Sequence, residues 1–365
     1  MPRKLRPVRD GFRPDRSMSV ETPAETSQTL KLLNAQEALS LFGHQDQNLR
    51  LIQDRFGARI VARGDEVKVS GAPADVSRVM DVFDQLLVLL RRGERLHRQA
   101  VEYIIDTQGR WLERPVADFI GTSPIPLRGK RGAIKAKTVG QHRYLEAIAR
   151  DDMVFSIGPA GTGKTYLAMA AAVSCLERHE VRRIILTRPV VEAGESLGFL
   201  PGDMQAKVDP FVRPLYDALY DMMDVETVRR YVEQGIVEIA PLAYMRGRTL
   251  NSSFIILDEA QNTSSEQMKM FLTRLGVQSK AIITGDITQI DLPINRKSGL
   301  VQVCDILYGV EGISFVFLTY HDVVRHPLVQ RIVAAYERYD AAQGNGPKIL
   351  EHGKAASQDT TAERA

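Results

Sequence analysis

Gly158-Pro159-Ala160-Gly161-Thr162-Gly163-Lys164-Thr165 fits G-x-x-x-x-G-K-[ST] at every fixed position. Its flanks agree: Met153-Val-Phe-Ser-Ile157 reads as a buried strand, and Tyr166 to Leu176, rich in alanine, reads as a helix. A strand, a glycine-rich loop and a helix N-terminus in that order make a phosphate cradle. Glycines let the backbone wrap a polyphosphate closely, and the loop amides and helix end supply positive potential. Lys164 can then reach β- and γ-phosphates, and the Thr165 hydroxyl can ligate Mg²⁺. The expected nucleotide-binding residues are Gly158, Pro159, Ala160, Gly161, Thr162, Gly163, Lys164 and Thr165.

Further along, Phe254-Ile-Ile-Leu-Asp258-Glu259-Ala-Gln-Asn262 reads as a buried strand ending in two adjacent carboxylates, the pattern of a Walker B segment. Asp258 would hold Mg²⁺ through water, and Glu259 would orient or deprotonate the attacking water. A third strand end, Ile283-Thr-Gly285-Asp286-Ile-Thr288-Gln289, offers Asp286 and Gln289 as sensors of the γ-phosphate. Upstream, Gln141 opens a helix at the place where nucleotide-driven helicases commonly put a glutamine that reads the adenine amide edge.

These motifs sit in a region, Lys137 to about Tyr339, where strands and helices alternate. The predicted strands are Met153 to Ile157, Ile184 to Arg188, Ile236 to Ala240, Phe254 to Leu257, Ala281 to Thr284 and Ser314 to Leu318. Such alternation implies an α/β fold with a mostly parallel sheet covered on both faces and ligands at the C-terminal strand ends.

The composition suits a globular protein of two domains plus tails: 365 residues, 44% hydrophobic and 25% charged. A formal net charge of +3 does not by itself imply a nucleic-acid partner. Cys175 and Cys304 fall in apolar helical patterns, which points to core thiols in a reducing compartment rather than a disulfide or metal site. The aliphatic run Leu86 to Leu90 is too short to span a bilayer, and no apolar stretch follows the basic N-terminus as in a signal peptide. The expectation is a cytoplasmic protein without a membrane partner.

Residues 1–25 read as a disordered basic arm, solvated or touching RNA. Residues 26–95 read as a small α+β domain of order β-α-α-β-β-α, which resembles a KH domain. That family clamps a nucleic-acid backbone with a G-x-x-G loop between its first two helices. Here the loop is Gly43-His44-Gln45-Asp46, with an acid, repulsive to phosphate, in place of the second glycine. Residues 96–137 read as a linker that turns basic at Arg128, Lys130, Arg131, Lys135 and Lys137 and could follow a phosphate backbone. Residues 138–340 form the P-loop core, and 341–365 read as a disordered tail.

Taken together, the phosphate loop, T-R-P-V-V-E-A-G-E-S-L-G-F-L-P-G-D (Thr187 to Asp203), Y-M-R-G-R-T-L (Tyr244 to Leu250), I-I-L-D-E-A-Q-N, T-G-D-I-T-Q-I-D-L-P and D-V-V-R-H-P-L-V (Asp322 to Val329) resemble the PhoH-like family of bacterial ATPases. The likeness is strongest to the branch with an N-terminal KH-like module, sometimes called YbeZ, and covers roughly residues 29 to 340. It implies a RecA-like P-loop NTPase core related to superfamily 1 helicases, ATP hydrolysis with Mg²⁺, and a role in RNA metabolism beside a YbeY-like endoribonuclease.

The leading reading is a Mg²⁺-dependent ATPase that remodels or unwinds RNA, or loads a ribonuclease on it. The alternative is a nucleotide-dependent switch or scaffold for a protein partner. A small-molecule kinase ranks third, because the Gly285 to Gln289 motif and the basic stretch have no place in it. One RecA-like core alone leaves its nucleotide at an open edge, where the γ-phosphate needs an added cation. Candidates are Arg246, Arg248 and Arg325, with Arg325 favoured because it opens a helix directly after the last core strand. A homo-oligomer is therefore expected, a ring such as a hexamer, with sites between subunits.

Overall fold

The computed structural model describes residues 25–109, 112, 114–122, 124–128, 132–189, 204–293 and 296–324, with a few positions between 328 and 339. The expectations for residues 1–24, Lys130, Arg131, Arg325 and the tail 341–365 lie outside the described residues, as does most of the Thr187 to Asp203 motif. The chain divides into two compact units, Met1–Leu90 and Arg91–Ala365.

The first unit runs β1 (Thr26–Lys31), α1 (Ala35–Phe42), α2 (Gln47–Arg55), β2 (Arg59–Arg63), β3 (Glu66–Gly71) and α3 (Pro73–Arg91). Its three strands form an antiparallel sheet in the order β1-β3-β2. Alternation sets the two faces: Val67 and Val69 are buried while Glu66 and Lys68, the residue before each, are exposed. Helix α3 buries Val76, Val79, Val82, Phe83 and Leu86, the three- and four-residue spacing of one helical stripe. The Gly43 to Asp46 turn carries Gln45 and Asp46 at φ 51° and 57°, a left-handed conformation that glycine adopts at less cost.

The second unit corrects the linker reading of 96–137. This stretch contains α4 (Arg98–Asp106) and a two-strand hairpin, β4 (Ile125–Pro126) with β5 (Ala133–Ile134). Val101, Ile104 and Ile105 are buried, and Leu127, Ile134 and Ala136 join the core of the larger sheet domain. The basic residues that suggested a solvated connector sit on its outside: Arg128, Lys135 and Lys137 are exposed.

From there the chain runs α5 (Val139–Arg150), β6 (Met153–Ile157), α6 (Lys164–Glu177), β7 (Arg183–Arg188), α7 (Met204–Met222), α8 (Val225–Glu233), β8 (Val237–Pro241), β9 (Ser253–Leu257), α9 (Ser265–Leu272), β10 (Lys280–Gly285), α10 (Gly299–Ile306) and β11 (Ile313–Phe317). Strands β6 to β11 form a 6-stranded sheet, β11-β6-β10-β9-β7-β8, parallel throughout, and each strand lies within one residue of its predicted bounds. This is the α/β architecture of a P-loop NTPase core.

The sheet is covered on both faces, which is why its strands read as continuous apolar runs. Val154, Ile184, Leu186, Phe254, Ile256 and Ile282 pack with Tyr144, Leu145 and the alanine-rich α6. Their alternates Phe155, Ile157, Ile185, Ile255, Leu257 and Ile283 pack with Met268, Phe271, Leu300 and Val303. Burying α6 almost all round explains its composition, since alanines let a helix lie close to a sheet on one side and to other helices on the other. Among the described residues no helix is long and apolar enough to cross a membrane.

Candidate active site

Parallel pairing brings the C-terminal ends of β6, β10 and β9 side by side, and the three motifs that follow them meet in one cleft of about 270 Å³. Its lining is Ala160, Gly161, Gly163, Lys164, Thr165, Tyr166, Asp258, Glu259, Gly285, Asp286 and Gln289. Gly163 stands at φ 85° directly before α6, a left-handed turn that aims the helix N-terminus into the cleft. Gly158 is required for a different reason: a Cβ there would lie 2.4 Å from the Leu318 carbonyl oxygen. The Thr162 hydroxyl donates to the Pro159 carbonyl at 2.9 Å and ties the loop across its own base. Lys164 lies over that loop, its Nζ donating to the carbonyls of Gly158 (2.6 Å) and Pro159 (2.9 Å).

Opposite the loop, Asp258 follows β9 and is buried. Its Oδ1 accepts from Thr165 Oγ1 and from Thr284 Oγ1, each at 2.7 Å. Strand β10 lies between the strands bearing the loop and the carboxylates, so Thr284 can brace Asp258 from the side. The next residue, Glu259, takes φ 54°, and this left-handed turn carries its carboxylate to the cleft wall. Glu259 Oε2 accepts from Gln261 Nε2 at 2.6 Å, and Gln261 Oε1 accepts from the Asp286 amide at 3.0 Å. Asp286 in turn accepts from Gln289 Nε2 at 2.7 Å, so Gln289 is held at the cleft beside it.

Arg188, the last residue of β7, is a member of the site that sequence reasoning missed. Its Nη2 lies 2.7 Å from Glu259 Oε1 and 3.6 Å from Asp258 Oδ2. The signal available was its place at a strand end, but only the sheet order, with β7 beside β9, turns that into contact.

Gln141 is placed otherwise than expected. It is buried, its Oε1 accepts from the Lys137 amide at 2.8 Å, and its Nε2 donates to the Thr162 carbonyl at 3.0 Å. Its amide therefore braces the phosphate loop against α5 and does not line the cleft. Tyr144, on the same helix, is fully buried and donates to the Lys164 carbonyl at 3.3 Å. Burial pushes its phenol pKa far above the usual value, so it remains a neutral donor. Asp322 accepts from Thr138 Oγ1 at 2.6 Å, and the Val324 amide donates to the Gly161 carbonyl at 3.0 Å, which lays the chain after β11 along the loop.

Of the arginines considered for the γ-phosphate, Arg248 makes a forked pair with Glu238, at 2.6 and 2.7 Å, that holds this carboxylate below its usual pKa range. Arg246 is exposed and away from the cleft lining. Arg325 is outside the described residues. Among the described residues the cleft wall carries Lys164 as its cation beside the carboxylates of Asp258, Glu259 and Asp286.

The hard oxygen donors Thr165 and Asp258, already in contact, suit Mg²⁺, which takes one or two protein ligands and completes its shell with phosphate and water. Among the described residues no group of three or more His, Cys, Asp or Glu is arranged to hold a metal alone.

Residues 133–337 match the family described as PhoH-like protein. A PhoH-like protein of Bacillus subtilis (strain 168) is 51% identical over 308 residues, 84% of this chain and 96% of its own length. The chain belongs to the PhoH-like family. A PhoH-like protein of Mycobacterium tuberculosis (strain ATCC 25618 / H37Rv) is 52% identical over 303 residues, 83% of this chain and 85% of that one. Protein PhoH of Escherichia coli (strain K12) is 42% identical over 254 residues, 68% and 69% of the two chains. A solved Pif1 helicase from Candida albicans aligns with 57% of this chain and 44% of its own at 13% identity and a TM-score of 0.31. The phosphate loop, the carboxylate pair and the Gly285-Asp286 turn all fall inside the residues that match the PhoH-like family.

Proposed function

We propose that this PhoH-like protein hydrolyses ATP and uses the cycle to act on RNA. The observation that carries the reading is one cleft in which a P-loop lysine, a hydroxyl–carboxylate pair and a second carboxylate all face the same volume. The triphosphate lies along the loop amides, and Lys164 exchanges the carbonyls of Gly158 and Pro159 for phosphate oxygens. Thr165 and Asp258 hold Mg²⁺, which when bound neutralises charge building on the phosphates. Glu259 accepts a proton from the attacking water as the water oxygen bonds to the γ-phosphorus, and the bond from the γ-phosphorus to the bridging oxygen breaks with its electron pair on that oxygen, leaving ADP and phosphate. Asp286 and Gln289, at the same wall, register whether the γ-phosphate is present.

RNA is the partner the surface chemistry supports. Arg128, Lys135 and Lys137 are exposed on a stretch without acidic residues, although Lys135 is paired with Glu94. Arg188 balances the carboxylates from behind the cleft wall, and a homo-oligomer is the assembly in which Arg325 of a neighbouring subunit would bring a further cation to the γ-phosphate itself. A ribonuclease of the kind the resemblance implies would be the protein that this motor serves. The test is the rate of phosphate release from ATP with and without single-stranded RNA. A rise with RNA that weakens as salt increases supports the reading. Turnover indifferent to RNA but raised by a protein partner would transfer it to a protein switch.

A further inference from the structure

Glu259 is held from two sides by residues that do not line the cleft. On one side Arg188 Nη2 reaches Oε1 at 2.7 Å, from the end of β7; on the other Gln261 Nε2 reaches Oε2 at 2.6 Å. The orientation of Gln261 is unambiguous, because its Oε1 accepts from a backbone N–H, that of Asp286, leaving the NH₂ group to face Glu259. Gln261 is 1% exposed, and Gly285 makes room for it: a Cβ there would lie 2.9 Å from Gln261 Oε1. Arg188 is largely buried as well, with 18% of its side chain exposed, and its guanidinium also faces Asp258. Two adjacent carboxylates beside a triphosphate repel each other and the substrate, and a fixed guanidinium offsets that repulsion without occupying the cleft.

We propose that Arg188 and Gln261 are the positioning residues of the hydrolytic carboxylate. Together they fix the Glu259 carboxyl group at the cleft wall and tie it to the backbone of the Gly285-Asp286 turn. A carboxylate oxygen has two acceptor directions, so one donor on each oxygen still leaves a direction open to water. The arrangement joins the ends of β7, β9 and β10 in one hydrogen-bonded chain, so that the group activating water and the turn sensing the γ-phosphate move as one. This rests on the reading of the cleft as an ATP-hydrolysing site.

The experiment uses the full chain, with phosphate release at saturating Mg²⁺ and ATP, affinity for a fluorescent ATP analogue, and thermal melting measured for each variant. Arg188→Ala is expected to lower kcat by about tenfold or more while nucleotide affinity stays within about threefold of wild type. Gln261→Met, of similar size without the donor, is expected to show the same split. Arg188→Lys keeps the charge without the fork and recovers part of the loss. Millimolar guanidinium ion is expected to raise turnover of Arg188→Ala and not of wild type or Gln261→Met, a response that a purely structural role does not produce. Wild-type kcat in Arg188→Ala, or a fall in affinity as large as the fall in kcat, overturns the proposal. If Arg188→Ala does not fold, unchanged kcat in both Arg188→Lys and Gln261→Met overturns it equally. A wild-type chain that releases no phosphate sinks the ATPase reading and this proposal with it, an outcome distinct from the others.

Discussion

Thr165 Oγ1 and Asp258 Oδ1, 93 residues apart in the chain, meet at 2.7 Å where α6 begins and β9 ends. The same Asp258 oxygen accepts from Thr284 Oγ1 at 2.7 Å, so two hydroxyls from different elements set the carboxylate. Thr284 is fully buried, and its hydroxyl lies much closer to Asp258 Oδ1 than to its other acceptor, the Leu257 carbonyl at 3.5 Å. Thr284→Val keeps its shape and removes the brace. The Mg²⁺ concentration that half-saturates turnover is expected to rise severalfold, with about 1 kcal/mol lost in urea unfolding. An unchanged Mg²⁺ titration would show that Thr284 does not orient Asp258.

Gln141 supports a second prediction, because the oxygen and the nitrogen of its side-chain amide already join Lys137 to Thr162. Gln141→Ala is expected to weaken ATP and GTP alike, by about tenfold or less, through a loosened loop. A preference for ATP over GTP that collapses in the variant would restore the adenine contact and contradict the brace.

Much of this site was legible because phosphate chemistry demands contiguous residues. The loop, the carboxylates and the Gly285 to Gln289 turn each announce themselves within a few positions, and the four inner strands β6, β7, β9 and β10 read as Ile-rich runs buried on both faces, with the edge strands β8 and β11 only partly buried. Arg188 and Gln261 were not legible, since what they touch depends on which strand lies beside which. Gln141 was legible as a helix start but not as a brace, since Thr162, its partner, is set by tertiary packing. The linker reading failed at the β4–β5 hairpin because glycines and basic residues fill its turn at 128–132, and at α4 because a helix of 9 residues shows its apolar stripe, Val101, Ile104 and Ile105, over little more than two turns. The apolar minority, Leu127, Ile134 and Ala136, is nevertheless buried against the neighbouring core.

The thiols supply a pH prediction. Burial pushes both Cys175 and Cys304 up to about 11 from an ordinary value of 9.0. In the unfolded chain they ionise first, so this contribution to stability is complete below about pH 9 and is lost as pH rises toward about 11. Iodoacetamide at pH 8 is expected to label the native thiols at least about tenfold more slowly than the denatured ones. Equal rates in both states would contradict their burial.

The open charge balance of the cleft leads to a prediction about assembly. A Lys164→Ala chain and an Arg325→Ala chain are each expected to be inactive alone. If the arginine acts across an interface, mixing them regenerates some sites with both residues intact and returns part of the turnover. No recovery, with mixed assemblies confirmed by differently tagged chains, would place Arg325 in its own subunit's site or outside catalysis.

The most direct test of the central claim compares ATP affinity and turnover in Lys164→Ala and Glu259→Gln, with both chains confirmed as folded. Lys164 reaches into the phosphate loop, whereas Glu259 stands at the far wall as the group that accepts a proton. The account predicts phosphate release reduced by about a hundredfold or more in both variants, with ATP binding weakened mainly in Lys164→Ala and near wild type in Glu259→Gln. Normal phosphate release in either variant, or the same ATP affinity in both, would contradict it.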